Sequence, residues 1–441
     1  MEKGTVAKAL EMALESGAAQ ARATLTEDIE NSVVALNGEV DRLFGSSGEV
    51  LSIQIYTEGR YGSYSTNCLQ DDDLRKFIDG AVRTTRLLEA DPCHGLPDKE
   101  LYFTGEPVDL DKRDPLIGHI TQRQRMETAV AACREAMGVD DRMLSIETEY
   151  GDMDEHTLMA DTQGFIGETT LSHFTISAQC SVRGRGDEKP ESYWFDSALK
   201  RSDLKAEGCG ATALSRAIES LDKRKVRSGR YNMVIEPQVA SKVLSPIISA
   251  LNGANLQQGN SFLVGKKGAK VFGDGLTLVD RPLTRGAYGA RCFDIDGIAT
   301  RERYIIRNGV VGDGFITSYY ARKMGVPVTV DGPSVLMFEK ESVCQKKSLT
   351  LEDIMKSADK GILVTDFNGG NCNQVTGDFS YGIQGFLFEK GEKVHPIGEM
   401  NITGNIISLW NGIIAIGDDP WKALRWQMPT LAFEGVDFNG I

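Results

Sequence analysis

Five histidines, His94, His119, His156, His173 and His395, and eight cysteines are the side chains of this 441-residue chain best suited to metal or nucleophilic chemistry. A hydrolytic zinc site needs three protein ligands and one open position, commonly two histidines on one helix beside a glutamate that serves as general base. No two histidines here share a helical face, and His-Glu-x-x-His does not occur. Glu155-His156 is the nearest fragment. At an expected turn-to-strand boundary, with no second histidine one helical turn away, it reads as a packed or surface pair. Gly-x-Ser-x-Gly and the phosphate-cradling Gly-x-x-x-x-Gly-Lys-Ser/Thr are both absent, and Gly265-Lys266-Lys267-Gly268 matches the latter in composition only. Cys372 lies in a Gly- and Asn-rich stretch and would need a neighbour such as His395 to depress its pKa before it could attack a carbonyl.

The cysteines, Cys68, Cys93, Cys133, Cys180, Cys209, Cys292, Cys344 and Cys372, show no Cys-x-x-Cys spacing, as expected of reduced thiols in a cytoplasmic protein. A formal charge of -14 repels a phosphate backbone, and the one dense basic run, Lys223-Arg224-Lys225-Val226-Arg227, lacks interleaved aromatics. The run reads as a solvated linker, and no direct contact with nucleic acid is expected. No window reaches the about 18 uninterrupted apolar residues of a membrane helix, and Glu2, Lys3, Lys8, Glu11 and Glu15 interrupt the region where a signal peptide would need an apolar run. Neither export nor a membrane partner is expected.

The length favours two or three domains. Val6, Leu10, Ala13 and Leu14 recur at helical spacing before Gly17. Extended stretches over 22–36 and 40–44 flank Asn37-Gly38, a dipeptide suited to two positive φ angles in a tight hairpin, and Leu51, Ile53 and Ile55 alternate as a further strand. A second amphipathic helix starts near Asp72, where Asp71-Asp72-Asp73 suits a helix N-terminus. A third starts near Thr121, with Met126, Val130, Cys133 and Met137 on one face. Strands follow near Ile146 and over 157–165, 169–182 and 193–195, with a turn at Gly151, and Ala211, Leu214, Ala217 and Leu221 form a closing helix. Beyond Tyr231 glycines and short strands dominate, with one clear helix at about 239–251. The expected fold class is α+β: a two-part N-terminal region of antiparallel strands with covering helices (1–114 and 115–222), then a β-rich, Gly-rich C-terminal domain (228–441).

The C-terminal third carries a longer signature. Val375-Thr376-Gly377-Asp378-Phe379-Ser380, followed by Gly382 to Glu392 with Gly385, Glu389 and Gly391 in register, resembles the signature of the TldD/PmbA family. Pro396-Ile397 before Glu399, Ile402-x-Gly404-Asn405, Ile416-Gly417-Asp418-Asp419 and Pro429-Thr430-Leu431 continue it. Earlier landmarks are similar too: Gly59 to Thr66, Ala160 to Phe165, Ser228-Gly229-Arg230-Tyr231 and Asn260-Ser261-Phe262-Leu263.

The resemblance implies one of two roles. In the TldD branch a helix after the entry strand carries His-Glu-x-x-x-His and a C-terminal cysteine completes a zinc peptidase site. The PmbA branch, also called TldE, lacks these residues. Here Glu236 and Ser241 stand where the histidines would be and Pro237 where the glutamate would be, and no Cys or His follows Ile416. One carboxylate and one hydroxyl are a poor zinc ligand set, so the three are degenerate motif positions and not ligands, and Pro237 suits the first turn of the helix. The expectation is a subunit with no catalytic residues, metal or cofactor of its own, inactive alone. Zinc would reside in a TldD-like partner acting on peptide or unfolded-protein substrates in the cytoplasm, and homodimers are possible when the chain is alone. The family's label, modulator of DNA gyrase, leaves an alternative: a binding or regulatory protein acting on gyrase without proteolysis.

Overall fold

The computed structural model describes residues 3–106, 108–339 and 349–440, so Cys344 lies outside the described residues. The first half of the chain repeats one motif, helix, three strands, helix. The first copy comprises α1 (Lys3–Glu15), β1 (Gln20–Leu36), β2 (Glu39–Thr57), β3 (Arg60–Thr66) and α2 (Asp71–Thr85). The second comprises α3 (Gln122–Arg134), β4 (Met143–Asp161), β5 (Ile166–Val182), β6 (Glu191–Ala198) and α4 (Cys209–Glu219). The copies share one antiparallel sheet, β3-β2-β1-β4-β5-β6, and its seam runs along β1 and β4 from Arg22↔Asp161 to Leu36↔Glu147.

Local chemistry explains most of these elements. Asn37 (φ 49°) and Gly38 (φ 87°) make the tight turn between β1 and β2, and their left-handed backbone matches the twist of a two-residue hairpin. The Thr121 hydroxyl accepts the Gln124 N–H while the Gln124 side chain accepts the Thr121 N–H, a capping box that fixes the start of α3. Each copy keeps its own apolar cluster. Leu25, Ile53 and Ile55 pack under Leu74 and Ile78 in the first, and Tyr150, Phe174 and Ile176 under Ala129 and Leu214 in the second.

Two strands run longer than expected. β2 continues through Gly45-Ser46-Ser47-Gly48, whose composition suggests a turn, because every residue there pairs with β1. β4 passes straight through Gly151, which pairs with Ser32 and Thr175, and Glu155-His156 therefore lies inside a strand and not at a boundary.

In the second half, β7 (Gly229–Ile235) leads to α5 (Ser241–Ala250), α6 (Gly253–Gln258), β8 (Leu278–Asp280), β9 (Arg303–Arg307), β10 (Val310–Val311), α7 (Ser318–Met324) and β11 (Leu336–Phe338). There follow α8 (Leu351–Ala358), β12 (Lys360–Cys372), β13 (Asp378–Glu389), β14 (Glu392–Pro396), β15 (Met400–Asn405), α9 (Ile406–Asn411), β16 (Ile413–Ile416) and β17 (Leu431–Gly440). β12-β7-β17-β15-β13 is a continuous sheet whose ends also pair, so five strands close into a ring, and β8 to β11 form a smaller sheet. One core unites the two, with Trp410 fully buried and its Nε1 donating to the Val243 carbonyl at 3.0 Å. Among the described residues, only α5 of the five helices here is visible in the sequence pattern; the other four are short, with six to eight residues each. The architecture is α+β.

Candidate functional site

β7 runs parallel to β12 through Ile235↔Val364 and delivers Glu236 to the end of the ring, where its N–H donates to the Val364 carbonyl at 3.1 Å. Residues 237–240 turn through i to i+3 bonds, Val239 N–H to Glu236 and Ala240 N–H to Pro237. The helix then starts at Ser241, later than the expected Val239, so Pro237 shapes the approach to α5 and is not in its first turn. Pro246 is accommodated inside that helix.

Glu236 is 6% exposed. Its Oε1 and Oε2 accept from Arg216 Nη1 (3.2 Å) and Nη2 (2.9 Å), a two-pronged ion pair reaching from α4 of the first half to the first degenerate position. The guanidinium also lies over the Trp194 ring at 5.2 Å and points an N–H at the Thr365 carbonyl at 3.4 Å. Ser241 faces elsewhere: it lines a hollow of about 360 Å³ with Asp331, Arg425 and Trp426. Arg291 Nη1 lies 2.8 Å from Asp331 Oδ1, an ion pair outside hydrogen-bond angles. Burial, and then repulsion from Arg291, lower the Arg425 pKa from its usual value.

The donor set does not fit zinc. Both carboxylates beside the start of α5 are neutralised by guanidinium groups, Pro237 has no side-chain donor, and Ser241 offers one hydroxyl. Among the described residues, no group of three or more His, Cys, Asp or Glu side chains converges as a metal site. A divalent ion would have to displace an arginine from a buried carboxylate, and it would gain one hydroxyl in return.

The remaining candidates are separate from this place. His156 Nε2 lies 2.6 Å from Glu168 Oε1 on the neighbouring strand β5. Burial, then the charge of Asp378, raise the Cys372 pKa, the wrong direction for a nucleophile. His395 on β14 contacts the Pro396 carbonyl at 3.0 Å. Sequence reasoning missed Arg216 because its partner is supplied by tertiary packing. The available signal is an arginine beside the apolar stripe Ala213, Leu214 and Ala217 of α4, which are all buried.

Two family models match the chain. The model described as the PmbA/TldA metallopeptidase central domain matches residues 115–221, and that for the C-terminal domain matches residues 228–440. The chain belongs to the TldD/PmbA family. Metalloprotease PmbA of Escherichia coli O157:H7 is 27% identical over 419 residues, covering 94% of this chain and 90% of that protein. A Bacteroides thetaiotaomicron crystal structure, provisionally named a modulator of DNA gyrase, is 42% identical with a TM-score of 0.96, covering 100% of this chain and 99% of the other. TldE from Thermococcus kodakarensis shares the fold, with a TM-score of 0.86 at 18% identity over 99% of this chain and 100% of that one. Within a family that bears the metallopeptidase name, this member presents arginine-bound carboxylates beside α5.

Proposed function

We propose that this chain is the metal-free subunit of a TldD/PmbA-type peptidase system, acting with a TldD-like partner that supplies the zinc and cuts peptide or unfolded-protein substrates in the cytoplasm. The observation that carries this reading is the Arg216–Glu236 ion pair, a protein cation at the first degenerate ligand position. The chain's own contribution is to hold substrate. β7 stops pairing with β12 at Val364, so beyond that point β12 pairs only with β13 among the described residues, and its other edge presents backbone donors and acceptors to an extended peptide whatever its side chains. No helix among the described residues is long and apolar enough to cross a membrane.

Co-purification with a TldD-like protein, followed by peptide cleavage with and without this chain, tests the reading. Stable association and faster or altered cleavage are expected, and cleavage indifferent to this chain overturns it. The name carried by the Bacteroides relative keeps a second reading in play, direct action on gyrase. Supercoiling inhibited by the purified chain alone would establish that instead.

A further inference from the structure

The basic run at the junction of the two halves does not stand alone. The loop between β5 and β6 folds toward it, and the two enclose a cleft of about 610 Å³ into which Arg185, Lys189, Lys223 and Arg224 face. Segments 183–189 and 222–227 together hold seven basic and three acidic side chains, a local excess of positive charge on a chain of net charge -14. Arg185 is engaged by Asp222 at 2.7 Å. Among the described residues the side chains of Arg183, Lys189, Lys223, Arg224, Lys225 and Arg227 have no ion-pair partner, and all six residues are exposed.

The cleft is also placed. Lys223 and Ser220 line both it and a narrow hollow of about 30 Å³ whose wall includes Arg216 and Thr365, the residues that bind Glu236 and open the free edge of β12. Pro190 closes the cleft directly before β6, which among the described residues pairs only with β5 and has its other edge free of strands. The backbone of Arg224 is fixed to the second half, its N–H donating to the Pro396 carbonyl at 3.0 Å and its carbonyl accepting the Gly398 N–H at 2.8 Å, so the cations sit on a held segment and not on a free tether. Although Glu188 and Asp222 also line the cleft, Lys189, Lys223 and Arg224 therefore place unpaired positive charge beside strand edges able to pair with an extended backbone.

We infer that this cleft is an anchor for an acidic stretch of a polypeptide, through which a chain rich in Asp and Glu is guided onto the free strand edges. Uncompensated cations on an acidic protein attract anionic ligands and steer them at low salt. The absence of aromatic side chains from the cleft favours an acidic polypeptide over single-stranded nucleic acid, whose bases need rings to stack on. The inference deepens the substrate-holding role proposed above and names its substrate class.

The test uses the full chain and a fluorescein-labelled deca-glutamate peptide in anisotropy titrations. Binding that weakens as salt rises is expected, with a loss of about tenfold or more in the charge-reversed variant Lys189→Glu/Lys223→Glu/Arg224→Glu. All three positions are exposed, and a circular dichroism spectrum identical to the parent's confirms that the variant is folded. Reversal of Lys266 and Lys267, which lie elsewhere on the second half, should leave binding unchanged. Absent peptide binding, or binding that the triple variant retains, overturns the anchor. Tighter binding of a dT10 oligonucleotide than of the peptide overturns it as well and assigns the cleft to nucleic acid. Because no partner or proteolysis enters this readout, peptide binding that persists while a TldD-like protein ignores the chain would refute the accessory-subunit reading and leave the anchor standing.

Discussion

Replacing Arg216 by methionine strands the Glu236 carboxylate. The side chain of Glu236 is 8% exposed and that of Arg216 is 22% exposed, and the pair is bidentate. Removing one partner of a buried pair costs about 3–5 kcal/mol, and partial solvent access to the arginine places this case at the lower end, about 3 kcal/mol. Methionine keeps an apolar stem against Trp194, which isolates the electrostatic loss from loss of packing. Glu236→Met in the same background should recover much of the loss, since an apolar pair of similar volume is often neutral relative to a buried ion pair. The double-mutant cycle should therefore show a coupling of about 2 kcal/mol or more. Urea unfolding followed by tryptophan fluorescence is the assay, because Trp194 packs edge-on against Trp421 across the junction of the halves at 5.4 Å and reports on the region concerned. A cost below about 0.5 kcal/mol, the range of an inconsequential surface change, or strictly additive single variants, would refute the assignment of this pair as the substitute for a ligated ion.

The isolated chain should be indifferent to metal. A ligand at a hundred times its Kd adds about 2.7 kcal/mol, so a zinc-dependent rise of that size in the urea midpoint, or a fall with EDTA, contradicts the reading. His94 is stacked between Tyr61 (5.1 Å) and Tyr319 (4.4 Å), and burial lowers its pKa below the usual 6.5. The unfolded imidazole takes its proton near 6.5, so the stability contributed by keeping His94 neutral is present above that pH and declines as pH falls toward the folded value. An NMR titration midpoint at or above 6.5 would contradict this. A Cβ added at Gly385 would run into the Leu363 carbonyl oxygen where β12 and β13 meet, so Gly385→Ala should cost more than about 2 kcal/mol in the same urea assay. A variant as stable as the parent would disprove that close approach.

Features fixed by a few neighbouring residues were legible in the sequence. Asn37-Gly38 announces a hairpin because few other dipeptides tolerate two left-handed residues, and Thr121 with Gln124 announces a helix start because both orphan donors are satisfied locally. Strand length was not legible. Gly45, Gly48 and Gly151 look like interruptions, yet the partner strand supplies bonds that their own propensities do not demand. The short helices α6, α7 and α9 escape because six or seven residues span too few turns to show a period. At the site the degenerate positions could be read by chemistry alone, since Pro237 has no donor. The arginine that compensates Glu236 could not, because it is set by how α4 docks on the ring.

The order of strands in the ring has a bearing on how the protein is made. β17 is inserted between β7 and β15 although it lies downstream of every other strand in the ring, roughly 200 residues beyond β7. During synthesis the helix-covered sheet of residues 3–219 can assemble first, while β7 has both edges bare until β12 is made and one edge bare until β17 follows. Closure of the ring must then wait until β17 has been made, and a nascent chain paused before residue 431 would expose a gap that strands of other molecules could fill. Chaperone demand and aggregation on overexpression should concentrate in that interval.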